Sequence, residues 1–547
     1  MTNGQAAASS SSSAWAPLRV PLFRTLWIAV LASNVGTWMQ IVAAAWLMTS
    51  LTSSATLVAL VQTASALPIV LAGLPSGAIG DVVDRRKLLL ITQGWMLAVA
   101  GALGVLTLLG ATTPWVLLVL TFALGLGAAM MAPTWLAIQP DLVPREEFSQ
   151  AVSLGAVQFN LARAVGPALG GLVIAIAGPG AVFLLNAASF LAVAIPIYRW
   201  HRPTDESALP PEHITAAISS GVRYVRYAPG IRAALLRASV FIFFSSALWA
   251  LLPLLAREQL GLGSGGYGLL LGCMGVGSVA GATMLPSLRR KLSQDAAVAI
   301  ATVMLALAIG TLAYVHNVGL AGVAMVAAGV AWIAVLSSLN VSVQTFSPRW
   351  VRARVLSVYQ LIFQGGTAIG SAFFGLVADW IGTPAALGLA ALGLLLGLTT
   401  ALRWRLRTGE HLDLSPSAHW PEPAVAIEPG PEEGPVLVTI EYRIDPDRGQ
   451  EFIQLMDRLG LSRRRSGATQ WGVFHDAADP GRYLETFIVG SWVEHLRQHE
   501  RVSVAEKEIQ ERVHSFLVGD ARPVVSHYIA GAPSGSESSG KKSSNSG

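Results

Sequence analysis

Charge is scarce in this sequence. Only 13% of its 547 residues are Asp, Glu, Lys or Arg, while 53% are hydrophobic and the mean hydropathy is +0.55. A soluble globular chain carries roughly 25% charged residues. So little charge cannot clothe a water-facing surface over this length, which excludes a string of soluble domains and places most of the surface in lipid. Cysteine is almost absent as well. The single Cys273 excludes an internal disulfide framework and a cysteine-built metal site, and within "GLLLGCMGVGSVAGA" it reads as a small apolar packing residue. No cleavable signal is expected either. The Ser/Ala-rich lead, expected to be disordered and cytoplasmic over 1–20, runs into a hydrophobic stretch far longer than a signal h-region.

Apolar runs fill the chain instead, each of about the 20 residues that a bilayer crossing needs. They fall at 25–50, 56–80, 88–110, 114–139, 151–177 and 181–200. After a polar stretch they resume at 234–256, 264–287, 295–315, 318–345, 354–378 and 383–403. The expected fold is an all-α membrane protein of twelve transmembrane helices in two halves, 21–200 and 234–405, joined by a cytoplasmic loop at 201–233. The loops at 51–56, 110–115, 178–181, 257–264, 315–318 and 379–383 hold one basic residue, Arg257. The alternate set holds Arg85, Arg86, Lys87, Arg145, Arg199, Arg223, Arg289, Arg290, Lys291, Arg352 and more, which places that set and both termini in the cytoplasm. Residues 1–410 carry 23 Lys and Arg against 12 Asp and Glu, and residues 411–547 carry 14 against 20. The basic character therefore belongs to the membrane part, and no nucleic-acid partner is expected.

The chain also repeats itself at an offset of 204. "DRRKL" at 84–88 returns as "LRRKL" at 288–292, Gly73 and Gly77 fall on Gly277 and Gly281, and Gly166, Gly171 and Gly178 fall on Gly370, Gly375 and Gly382. Two parallel six-helix halves about an axis along the membrane normal are the internal symmetry of major facilitator transporters. The segment "GAIGDVVDRRK" (77–87) resembles that superfamily's signature, with Gly77, Asp81, Arg86 and Lys87 matching, Val82 replacing a basic residue and Asp84 a glycine. The resemblance implies gating by Gly77, Asp81, Arg85, Arg86, Lys87, Arg289 and Arg290, with Asp81 latching one half to the other. "GPALGG" in the fifth run resembles the core of the drug/proton antiporter motif. Its Gly166, Pro167, Gly170 and Gly171 read as helix-packing residues, small enough for close contact and, at the proline, kinked. The stretches "MMAPTWLAIQPDLVPREEFSQAVSLGAVQFNLARAVGPALGG" and "PRWVRARVLSVYQLIFQGGTAIGSAFFGLVADWIG" are similar to the branch that contains the enterobactin exporter. That resemblance covers 20–405 and implies a secondary exporter of siderophores or drugs in the bacterial inner membrane, with protons as the coupling ion.

Charge inside a bilayer is costly and marks function. Arg163 reads as the one ionisable residue well inside a span, suited to an anionic substrate group. No buried carboxylate is evident, so proton coupling rests on the resemblance alone. Asn34, Trp38, Asn160, Trp249, Gln360 and Gln364 join Arg163 as the substrate or coupling set, and Gln62, Trp135, Asn186, Trp332 and Asn340 are further lining candidates. Amides and tryptophans around an arginine suit a sizeable amphipathic ligand.

Two soluble pieces remain. "HITAAISSGVRYVRYA" (213–228) sets Ile214, Ile218, Val222 and Val225 on one stripe, as in a helix lying on the inner membrane surface. After a Pro/Glu-rich linker (411–434), residues 435–531 read as βαββαβ, a ferredoxin-like α+β domain resembling the antibiotic-biosynthesis-monooxygenase type, followed by a disordered tail at 532–547. His495 and His499 share a helix face that reads as solvated rather than ligating, and no metal or cofactor is expected. Neither a catalytic constellation nor an enzymatic role is evident. The domain's alternatives are catalysis on a substrate that is then exported, or a regulatory module that forms a homodimer or senses a ligand. Uptake rather than export is the alternative for the membrane part.

Overall fold

The computed structural model describes residues 13–82, 84–200, 214–406, 413–417, 419–421, 423, 425–427, 429–519 and 522–531. The expected C-terminal tail, most of the N-terminal lead, and parts of the inter-half loop and the linker lie outside them. The chain forms two compact units. One comprises Met1–Glu212, Ala233–Val341 and Tyr359–Leu406, and the other His213–Arg232, Ser342–Val358 and Arg407–Gly547.

The first unit is helical. Where the sequence reads as a disordered lead through residue 20, a 3-10 turn at Ala16–Arg19 buries Ala16 and Pro17. There follow α1 (Pro21–Leu51), α2 (Ala55–Val82), α3 (Arg85–Leu108) and α4 (Pro114–Leu142). A continuous helical stretch, Phe148–Arg199, is broken by non-helical backbone at Gly178 (φ 78°), and we treat it as α5 (148–177) and α6 (179–199). The second half contains α8 (Pro229–Leu254), α9 (Ser264–Arg289), α10 (Gln294–Tyr314), α11 (Val318–Thr345), α12 (Arg349–Ile381) and α13 (Thr383–Gly397). Among the described residues eleven helices are long and apolar enough to cross a membrane, and the break at Gly178 makes the longest of them two crossings, twelve in all. Gly382, with φ 86°, separates α12 from α13 in the same way. Both breaks need the left-handed backbone that glycine adopts without penalty, and they stand at the offset of the sequence repeat.

Starts of helices are specified locally. Thr113 accepts from Val116 N (3.3 Å) ahead of Pro114, and Ser293 accepts from Ala296 N (3.2 Å). Asp84, which departs from the superfamily signature, caps α3 by accepting from Lys87 N at 2.9 Å.

In the second unit an antiparallel sheet runs in the order β2-β3-β1-β4. Its elements are β1 (Val436–Arg443), α14 (Gly449–Ser466), β2 (Gln470–His475), β3 (Arg482–Val489), α15 (Trp492–Arg501), α16 (Val504–His514) and β4 (Val524–Ile529). This is the ferredoxin-like order, with the second crossover split into two helices. β1 alternates strictly, turning Val436, Val438, Ile440 and Tyr442 onto Phe452, Met456 and Leu459 of α14. Full burial of each such side chain contributes about 1.5–3 kcal/mol.

The same unit includes the loop helix α7 (Ile214–Tyr227) and the turn between α11 and α12. Of the apolar stripe, Val222 is exposed and Val225 half-buried, the side chains of Ile214 and Ile218 lie outside the described part, and Ser220, Gly221 and Tyr224 are buried. Arg354 donates to Ser220 Oγ (2.6 Å), and Tyr224 sets its ring edge-on to Trp350 at 5.7 Å.

Candidate functional site

At the charge-poor ends of the spans the two halves close on each other. Asp379, at the end of α12, accepts from Ser54 Oγ (2.9 Å), Ala55 N (2.6 Å) and Thr56 N (3.1 Å). It thus caps the N-terminus of α2 from the opposite half, where a carboxylate satisfies orphan donors and meets the positive end of the helix dipole. Further along the pair, a Cβ on Gly375 would come within 2.6 Å of Ala59 Cβ, and Thr63 donates to Ala368 O at 2.8 Å. The second contact between halves joins α5 to α9. A Cβ on Gly171 would fall 2.6 Å from Gly268 Cα, and Ala168 with Gly272 and Ala164 with Gly275 continue the seam. Near the same ends Arg257 donates to Thr49 Oγ1 (3.1 Å), and Trp46 stacks on Tyr267 at 5.8 Å.

These contacts give "GPALGG" its physical sense. A Cβ on Gly166 would meet Trp38 Cβ at 2.6 Å and one on Gly170 the Met39 backbone at 2.9 Å, while Gly171 faces α9. Small residues therefore let α5 pack against α1 and α9 at once. The repeat-related glycines do the same for α12: Gly370 abuts Ser246 and Phe243 of α8, and Gly375 abuts α2.

One turn before Gly166, the half-buried Arg163 lies over Trp38 with its guanidinium 5.8 Å from the ring centroid, and Trp38 sets its edge against Phe159 at 6.3 Å. Among the described residues Arg163 has no carboxylate partner. A cation left on an aromatic face inside a span is available to an incoming anion. The other half holds its own aromatic group. Trp249 and Trp332 meet edge to face at 5.5 Å, flanked by Phe241 and Phe363, and both indole N–H groups are buried without a partner. Asn34, Gln62, Trp135, Asn340 and Gln364 are half-buried, and Gln360 is exposed. Asn160 turns back to donate to Ala156 O of its own helix at 2.8 Å. Asn186 donates to Gln40 Oε1 and so joins α6 to α1.

Of the gating residues, Gly77 and Asp81 occupy the last turns of α2, and their side chains lie outside the described part. Arg86 donates to Ile197 O (3.1 Å) and Tyr198 O, tying α3 to the orphan carbonyls that end α6. Arg85 is half-buried, Lys87 and Arg290 are exposed, and Arg289 donates to Ser337 Oγ at 3.0 Å.

A second cation lies near the start of an apolar run. Arg237, in α8, is 6% exposed and pairs with Asp295 at the start of α10, whose Oδ1 also accepts from Leu406 N at 3.1 Å. Arg237 lies inside the apolar run 234–256 and was visible there, but no spacing in the sequence linked it to an aspartate at the far end of another span. The solvated reading of the His495–His499 face also fails, because His495 is 1% exposed.

Comparison with known proteins places this geometry among transporters. The model of the transmembrane secretion effector family matches residues 12–534. The multidrug efflux pump Tap of Mycolicibacterium fortuitum is 28% identical, over 73% of this chain and 98% of its own. The enterobactin exporter EntS of Citrobacter koseri is 27% identical, over 69% and 91% respectively. Among solved structures, a bacterial homologue of the human lysosomal transporter Spinster, inward-facing and unoccupied, superposes with a TM-score of 0.57 at 14% identity, covering 71% of this chain and 95% of its own.

Proposed function

This chain belongs to the transmembrane secretion effector family, a multi-span transporter family and not one of enzymes, and from that premise we propose that it exports small amphipathic, anionic or aromatic molecules by alternating access. The observation that carries the reading is Arg163 on the face of Trp38, a cation inside a span with no carboxylate partner among the described residues. Its counter-charge is the substrate. The unpaired indole donors of Trp249 and Trp332 in the other half supply hydrogen bonds to substrate oxygens. By the distribution of Lys and Arg, the closed ends held by Asp379 and by Gly171 against Gly268 face outward and both termini are cytoplasmic. The chain therefore rests inward-facing, open to a cytoplasmic substrate. Export is the direction named for Tap and EntS, and antiport against protons supplies the driving force. Gly77, Asp81, Arg85 and Lys87 serve the gate at the cytoplasmic side, with Arg86, Arg289 and Arg290 stabilising it.

Accumulation of labelled catecholate siderophores and hydrophobic drugs in bacteria producing the wild type, Arg163→Ala or Asp81→Asn tests this. Lower accumulation in wild type, reversed in both variants and by an uncoupler, is expected. Higher accumulation in wild type would overturn the export direction, and indifference to the uncoupler would overturn proton coupling.

A further inference from the structure

Residues 413–417, with 419 and 420, run as a strap over the junction of α15 and α16. Ser417 N donates to Val502 O (2.9 Å), Val504 N to Ser415 O (3.0 Å) and Ala505 N to Asp413 O (2.9 Å). The strap ends in Trp420. Its indole N–H donates to Gln510 Oε1 at 3.0 Å, its ring stands edge-on to His499 at 4.9 Å, and the Arg463 guanidinium lies 4.8 Å from its centroid. Behind His499 the rings continue to His495 at 4.9 Å, and from His495 to His527 at 4.7 Å and Trp492 at 5.5 Å.

This row contains polar atoms that the protein does not satisfy. His495 is 1% exposed and Gln498 0%, yet both ring nitrogens of His495 and the Oε1 of Gln498 lack hydrogen-bond partners; the neighbouring Gln498 amide is near enough only to raise the imidazole's proton affinity somewhat. The defect is local, since Arg463 and Glu485 close by are fully paired with each other, with Tyr442 and with Trp471. Trp420 cannot repair it. An indole has one donor, and that donor is already given to Gln510.

We propose that these residues form a ligand pocket that Trp420 holds shut, and that the ligand is a planar aromatic molecule bearing hydroxyl groups. Its ring takes the place of the indole between His499 and Arg463, and its hydroxyls donate to Gln498 Oε1 or to one nitrogen of His495 and accept from the other. The imidazoles are suited to this because they stay neutral. Burial first, then the neighbouring histidines, hold His495 at about 3, and burial with His527 and Arg463 holds His499 at about 4. Neutral rings offer a donor and an acceptor each. Among the described residues no group of three or more His, Cys, Asp or Glu has the arrangement to hold a metal ion. All of these residues belong to the second unit, and the proposal does not rest on which substrate is exported.

The helix under the plug leads elsewhere. On α15, beside the histidines, Glu494 pairs with Arg223 of α7 at 3.5 Å, and Arg501 lies 4.4 Å from the Trp350 centroid. Displacing Trp420 thus acts on a helix that touches both the inter-half loop and the turn between α11 and α12.

The test uses the full chain in lipid nanodiscs with 2-naphthol as probe and naphthalene as the control that lacks a hydroxyl. Calorimetric titration is expected to show 2-naphthol binding at least tenfold tighter to Trp420→Ala than to the wild type, with the gain lost in Trp420→Ala/His495→Phe and absent for naphthalene. In the unaltered protein, 2-naphthol is expected to speed hydrogen exchange of the peptides covering 413–420 and 502–505. Equal affinity in wild type and Trp420→Ala overturns the proposal, as does equal binding of naphthalene. Should Trp420→Ala fail to fold, unchanged exchange in the unaltered protein at saturating 2-naphthol overturns it alone.

Discussion

Glu485 stands at an inward position of β3, between Tyr483 and Phe487, and is entirely buried. Burial alone would raise its pKa, but the Arg463 guanidinium and hydrogen bonds from Arg463, Trp471 and Tyr442 hold it below the usual carboxylate range. Removing one member of a buried pair leaves the other uncompensated and costs about 3–5 kcal/mol. Glu485→Ala is therefore expected to destabilise the C-terminal domain by about that amount, read from the denaturant midpoint for its proteolysis within the full chain; a loss under about 1 kcal/mol would contradict the account. The histidines give a second expectation. Their folded-state pKa values of about 3 and 4 lie below the ordinary 6.5, so between those values the unfolded chain binds more protons than the native one. Stability from this source is complete above about pH 6.5 and is lost as pH falls towards 4. The domain's thermal midpoint should drop between pH 7.5 and 5.0, and less steeply in His495→Phe. Neither result was legible as a contact. An acid at an inward position of an alternating strand signals a buried partner, but a sequence does not say which of three consecutive arginines supplies it.

Among the helices, spacing carried more of the fold than any single residue did. The 204-residue offset read from "DRRKL" and five glycines reappears as matched chain breaks at Gly178 and Gly382 and as matched close contacts at Gly171 and Gly375. Glycine positions were readable because steric demand at a helix crossing leaves little choice of residue. The polar partners across those crossings were not, since Asp379 meeting residues 54–56 leaves no local pattern. Gly171→Leu is expected to abolish transport while the protein still inserts, because the added side chain collides with the Gly268 backbone. Gly101→Ala, where a Cβ meets nothing within 4 Å, should leave transport unchanged. Asp379→Ala should uncap α2 and expose the closed ends, measured as faster labelling of a cysteine placed at Ser54 in a Cys273→Ser background.

For the whole molecule, hydropathy announced the twelve spans, the repeat and the resemblance of 77–87 to a superfamily signature announced a transporter, and alternation announced the sheet of the soluble domain. The site within the membrane was legible only in part: Arg163 and Trp38 come together, whereas Asn160 turns back on its own helix and Asn186 is spent on Gln40. Arg237→Ala should strand Asp295 and leave Leu406 N as its sole described partner, lowering the amount of folded transporter rather than its substrate preference, which detergent size-exclusion and transport per folded molecule will separate. Trp420 belongs to the chain whose pocket it fills, so it competes with free ligand at a local concentration fixed by its tether. Such a stopper ignores traces and yields only to abundance, so that tether length, adjustable by a few inserted residues without touching the pocket, sets the dose at which the C-terminal domain answers.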